Sequence, residues 1–260
     1  MATISAFRSP EVPNAASERE IRVELAACYR LIAHFGMDDL VYTHISARVP
    51  GRHDHFLINP YGMMFHEVRA SDLVKIDLEG NLVGDNAYPV NKAGFVIHSA
   101  VHMARPDVVC VLHTHTQAGV AVSCTEEGLL PLNQFALVFH DRIAYHDYEG
   151  IALDEDERER LVADLGDKPV MILRNHGLLT AGRSVAEAFA LMYYLDQACR
   201  VQIDVKALGG KMRLPPEVVQ KKTGQQFQGI ANNPQSVGMG QREWAALLRL
   251  CDKLDPSYKE

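Results

Sequence analysis

The chain has 260 residues, 47% of them hydrophobic and 23% charged, a globular composition long enough for one large domain or two small ones. Its 26 basic and 33 acidic residues leave a formal charge of -7, and the densest basic run is only Lys221-Lys222, which excludes nucleic acid as the main partner. No apolar run approaches the roughly 18 residues of a membrane span, so no membrane partner is expected.

Met1 to Ala16 is small, polar and proline-containing, and reads as a flexible arm without the apolar core of a secretion signal. Ser17 then opens a helix through a capping box with Glu20, and Ile21, Leu25, Cys28, Leu31, Ile32 and Phe35 recur at helical spacing until Gly36. Short strands follow at Ile45 to Val49 and His55 to Ile58, and Leu73 to Ile76 is expected to pair with Asn81 to Val83 across a turn. Lys92 to Ala104 reads as a helix that stops at Arg105-Pro106-Asp107, and another begins near Gln117. Ile143 to Tyr145 is a brief strand, and Asp154 to Leu165 is a charged amphipathic helix. Val170 to Leu173 reads as a buried strand, and Leu178 to Ala181 turns back beside it as a hairpin. Ser184, with Glu187 as its partner in a second capping box, opens a long helix to about Leu208. Lys211 to Gly240 is polar and reads as a linker before an amphipathic helix from Arg242 to Leu254. The layout predicts a three-layer αβα sandwich around a mixed or antiparallel sheet. It divides into an arm (1–16), a main domain (17–208) and an extension (209–260), the last helix resting on its own domain or on a neighbouring subunit.

Five cysteines, an odd number with no C-x-x-C spacing, read as reduced thiols of a cytoplasmic protein.

The chemistry concentrates at two places. Val108 to Leu112 reads as a buried strand that ends in His113-Thr114-His115, and side chains two apart on a strand share a face. The strand at Val170 to Leu173 is followed by Arg174-Asn175-His176-Gly177. Two strands that deliver His113, His115 and His176 from matching ends would make a three-imidazole site with an open coordination position, the arrangement of a catalytic metal. Spacing does not choose among zinc, iron, manganese, cobalt and nickel.

These stretches resemble the class II aldolase/adducin family over Ser17 to Leu208. The resemblance rests on His44-Ile45-Ser46-Ala47-Arg48, Ile58-Asn59-Pro60-Tyr61-Gly62, Arg105-Pro106-Asp107, His113-Thr114-His115, Asn175-His176-Gly177 and Glu187-Ala188-Phe189. It implies the class II aldolase fold, one divalent metal per subunit, zinc first, on His113, His115 and His176, and a homo-oligomer, a tetramer first. Asn91-Lys92-Ala93-Gly94-Phe95, Tyr145-His146-Asp147-Tyr148 and Leu173 to Leu178 bring the chain closest to the adducin-like branch, in its short bacterial form. That branch departs from the aldolases at one position. Where they carry a glutamate that shuttles the proton, this chain has Gly94, which neither ligates nor titrates.

Two functions are therefore expected. One is a metal-dependent lyase, an aldehyde-lyase or carboxy-lyase, acting by aldol cleavage or decarboxylation on a small carboxylate or carbonyl compound. The alternative is a non-catalytic scaffold like an adducin head that retains the metal site. For the lyase, His98, one helical turn past Gly94, is a candidate proton-transfer group, with Tyr61 and Tyr145 beside it. His44, Asn59, Gly62 and Lys92 are candidates to hold substrate. Each has a plainer alternative: a packed helix histidine, a turn residue, a solvated lysine.

Overall fold

The computed structural model describes residues 17–84, 88–90, 92–150, 157–232 and 238–260. The expected arm at 1–16 and the first residues of the helix expected from Asp154 lie outside them.

The elements follow in chain order as α1 (Glu18–His34), β1 (His44–Arg48), β2 (His55–Ile58), β3 (Val74–Asp77), α2 (Lys92–Ala104), β4 (Cys110–Thr114), α3 (Gln117–Ser123), α4 (Gln134–Leu137), β5 (Ile143–His146), α5 (Glu157–Leu165), β6 (Val170–Leu173), β7 (Gly177–Gly182), α6 (Val185–Ala207), α7 (Glu217–Asn232) and α8 (Gln241–Leu254). A 3-10 turn, Pro256–Lys259, ends the chain. Both expected capping residues are in place. The Ser17 hydroxyl accepts from the Glu20 amide and the Glu20 carboxylate from Ser17, while the Ser184 hydroxyl accepts from the Glu187 amide.

The strands form one seven-stranded sheet in the order β3-β2-β1-β4-β7-β6-β5, antiparallel throughout except for the β5–β6 pair. Alternation along the strands divides the core. Ile45, Ala47, Cys110 and Leu112 join α1, α3, α6 and α8 in one buried cluster. Val111, Leu173, Leu179 and Ala181 join α2 and α5 on the opposite face. Helices on both sides make the three-layer sandwich that the sequence predicts.

Two expectations change. Asn81 to Val83 does not form a strand; it contributes a single bridge, Ile76 to Leu82. Lys211 to Gly240 is not only a linker, since it holds the 16-residue helix α7. Its polar face obscured a stripe that includes Phe227, which packs against the main core. The apolar face of α8 is covered by its own chain: Trp244 lies against Phe189 of α6, and the Cys251 thiol approaches the Ala27 carbonyl of α1. All five cysteines are free thiols, with Cys124 alone exposed.

Candidate metal centre

β4 lies in the middle of the sheet, between β1 and β7. His113 pairs with Leu179 within the β4–β7 ladder, and His115 lies just beyond the strand end. His176 sits in the turn between β6 and β7, where Asn175 adopts the left-handed conformation (φ 55°) that asparagine tolerates better than most residues. Gly177 is obligatory here, because a Cβ on it would lie 2.4 Å from the Thr114 carbonyl of the neighbouring strand. The close approach of β7 to β4 thus brings the three imidazoles together. One nitrogen from each lies within 4.8 Å of the other two, and ring centroids are 4.7 to 4.9 Å apart.

The hydrogen bonds fix which nitrogens are available. His113 Nδ1 lies 2.9 Å from the Leu178 carbonyl, and His115 Nδ1 lies 3.0 Å from Asp39 Oδ2. A carbonyl and a carboxylate can only accept, so both Nδ1 atoms carry hydrogen. In neutral rings both Nε2 atoms then present lone pairs, and these two atoms are 2.9 Å apart. Two lone pairs at that distance need a cation between them. On His113 and His176 a proton is disfavoured. Burial, reinforced by His176 and His44, pushes the proton affinity of His113 well below the usual histidine range, and burial, then His115, lowers His176 to about 4. The donor set, its polarity and its outer hydrogen bonds fit a divalent metal.

The other candidates are distributed unevenly. His44 pairs with His113 across the β1–β4 ladder, their ring centroids 5.2 Å apart, and is fully buried beside the cluster. His98 is one layer behind it, its Nε2 2.8 Å from His44 Nδ1. Asn59 is buried, and its Oδ1 accepts from the Tyr29 hydroxyl, which also receives the Asn59 and Ile45 amides. Gly62 supplies a positive φ of 96° to the turn, and Tyr61 lies on that turn 42% exposed, its amide donating to the Pro89 carbonyl. Lys92 opens α2, and its side chain lies outside the described residues. The Tyr145 hydroxyl accepts from the Leu129 amide, and the Arg174 guanidinium covers its ring at 4.3 Å. Tyr148, which sequence reasoning passed over, is nearer, its ring 6.3 Å from His176.

Asp39 was also missed. It sits in a loop with no motif around it, and only its contact with His115 reveals it. Ser46 and His102 were legible in principle: His44, Ser46 and Arg48 alternate on β1, while Gly94, His98 and His102 recur every four residues on α2.

Comparison with known proteins places the fold and the family. A solved aldolase II superfamily protein from Pseudomonas syringae is 50% identical and superposes with a TM-score of 0.89 over 95% of this chain and 98% of its own. An L-fuculose 1-phosphate aldolase from Glaciozyma antarctica PI12 is 27% identical, with a TM-score of 0.79 over 96% of this chain and 97% of its own. Mouse alpha-adducin is 43% identical over 91% of this chain, which corresponds to 34% of the adducin. Residues 23–203 match the family described as Class II Aldolase and Adducin N-terminal domain, and the chain belongs to that family.

Proposed function

We propose that the protein is a metal-dependent lyase that cleaves a small carboxylate or carbonyl compound, with one divalent ion, zinc first, held by His113, His115 and His176. The observation that carries this reading is the pair of bare Nε2 atoms 2.9 Å apart with His176 as third member. A divalent ion bound there would supply Lewis acidity, drawing negative charge from a carbonyl or carboxylate oxygen. Asp39 and the Leu178 carbonyl keep His113 and His115 in the tautomers that ligation requires. His44, a neutral buried imidazole beside the cluster, is the group best placed to meet substrate.

Position 94 bears on the reaction type. A Cβ there would lie 2.5 Å from His44 Cδ2, so the space a side chain would use is filled by the His44 ring. Without a carboxylate at that place, release of carbon dioxide is favoured over aldol cleavage, because it needs no base to remove a hydroxyl proton. The reading includes self-association into a homo-oligomer, a tetramer first.

The same filled space, with the likeness to alpha-adducin, favours a second reading in which the site binds metal but turns nothing over. Elemental analysis of protein purified without added metal separates the cases. About one equivalent of metal in the wild type and its loss in His113→Ala are expected. A panel of keto and hydroxy acids, followed for carbon dioxide and aldehyde release, then decides. Metal without turnover establishes the second reading; no metal even after zinc addition overturns both.

A further inference from the structure

The polar face of β1 and one face of α2 meet in step. Gly94 opposes His44, His98 lies between His44 and Ser46, and His102 lies between Ser46 and Arg48. The distances are 2.8 Å from His44 Nδ1 to His98 Nε2, 2.6 Å from His98 Nδ1 to Ser46 Oγ, and 2.8 Å from Ser46 Oγ to His102 Nε2. All four side chains are buried. At the far end the Arg48 guanidinium donates to the His102 carbonyl at 2.5 Å and lies 3.5 Å from His102 Nδ1.

Each of these contacts holds one hydrogen, and the hydrogens are not independent. If His102 carries its hydrogen on Nδ1, its Nε2 accepts from the Ser46 hydroxyl. Ser46 then accepts from His98 Nδ1, and His98 Nε2 accepts from His44 Nδ1. If His102 carries its hydrogen on Nε2, every bond reverses. Ser46 accepting from both rings would leave its own hydrogen without an acceptor, since no other hydrogen bond of Ser46 Oγ occurs among the described residues. All three rings are buried, and burial disfavours a charged ring at each position. Two arrangements remain, with His44, His98 and His102 all Nδ1–H or all Nε2–H.

We propose that His98, Ser46 and His102 form a positioning relay that sets the tautomer of His44 and so decides whether its Nε2, which makes no hydrogen bond among the described residues, offers a hydrogen or a lone pair beside the imidazole cluster. The functional consequence rests on the reading of that cluster as the reaction centre. The relay itself is a property of the metal-free chain. His98 acts through His44 and is a positioning residue, not a catalytic one. Gly94 belongs to the same device, because only a residue without a side chain leaves the His44 ring where His98 can reach it.

Long-range proton–nitrogen correlation spectra of the metal-free protein, with histidines labelled and assigned by single substitutions, read the tautomers directly. The expected wild-type result is one tautomer shared by His44, His98 and His102. Different tautomers among the three would overturn the relay. Ser46→Ala is expected to uncouple His102 from the other two while leaving zinc stoichiometry unchanged, and an unaltered set of three spectra in that variant would also overturn it. His44 and His98 share a direct bond and stay alike in every variant, but His102→Gln, whose amide can still donate or accept at Ser46, should keep them in the wild-type tautomer, whereas His102→Phe should leave that pair a mixture of the two forms. Should Ser46→Ala fail to fold, the wild-type spectrum and the two His102 variants decide. Shared tautomers in a protein that binds no zinc would sink the proposed function and leave the relay standing.

Discussion

Asp39 and His102 show how single side chains act on this site from outside it. Asp39 holds the Nδ1 hydrogen of His115, so Asp39→Asn weakens the acceptor and relaxes the tautomer without touching a ligand atom. Outer partners of this kind typically contribute 10- to 100-fold in metal affinity; a zinc Kd raised by that order, with unchanged circular dichroism, is the expected outcome in a competition titration. His102 bears on stability. Burial and then the Arg48 cation hold its pKa at about 3, against an ordinary value of 6.5. The unfolded chain therefore takes up a proton that the folded chain refuses. Stability from this group is present above about pH 6.5 and is lost as pH falls towards 3, by about 2 kcal/mol between pH 7 and 5. Urea unfolding of the metal-free protein at those two values checks the sign. His102→Gln should flatten the slope by about that amount, and an unchanged slope would show that other groups carry it.

At the scale of elements, the parts legible in the sequence are those where pattern and environment coincide. The valine-rich β4 is buried along its whole length and its exit histidines share a face, so both its place and its chemistry could be read. The cap hydroxyls of Ser17 and Ser184 located two helix starts because the same atoms make the signal and the structure, although only the Ser17 box closes: the Glu187 carboxylate accepts from the Arg183 amide instead of the Ser184 amide. α7 was hidden for the opposite reason: much of its surface stays in solvent, so polar composition masked a helical period. The role of α8 was legible only as a question. Its stripe needed cover, and no local signal names Phe189 and α1 as the cover. The sole tryptophan, Trp244, lies within that contact and makes it measurable. Because Trp244 shares one buried cluster with α1 and α6, its fluorescence should shift at the same denaturant concentration as the far-ultraviolet circular dichroism. A fluorescence change that comes earlier would show that α8 leaves the body before the sheet unfolds.

Across the whole molecule, the sheet order decides what the metal would do for stability. The three imidazoles come from the end of β4 and from the turn that joins β6 to β7, neighbouring strands at the centre of the sheet. A cation held there would tie β4 to the β6–β7 hairpin, and it would bind only when the sheet is assembled. Binding confined to the folded state stabilises by about 2.7 kcal/mol at a ligand concentration 100 times Kd. In the metal-free protein those two Nε2 lone pairs, 2.9 Å apart, would repel each other. Removing one ring should relieve that repulsion and abolish the gain together. We therefore expect zinc to raise the melting temperature of the wild type and not that of His115→Ala. Without zinc, the variant should melt at the wild-type temperature or above, since His115 is partly exposed and its loss leaves no core cavity. Differential scanning calorimetry with and without zinc distinguishes this from a packing role, in which the variant would be less stable under both conditions and zinc would act on both proteins alike.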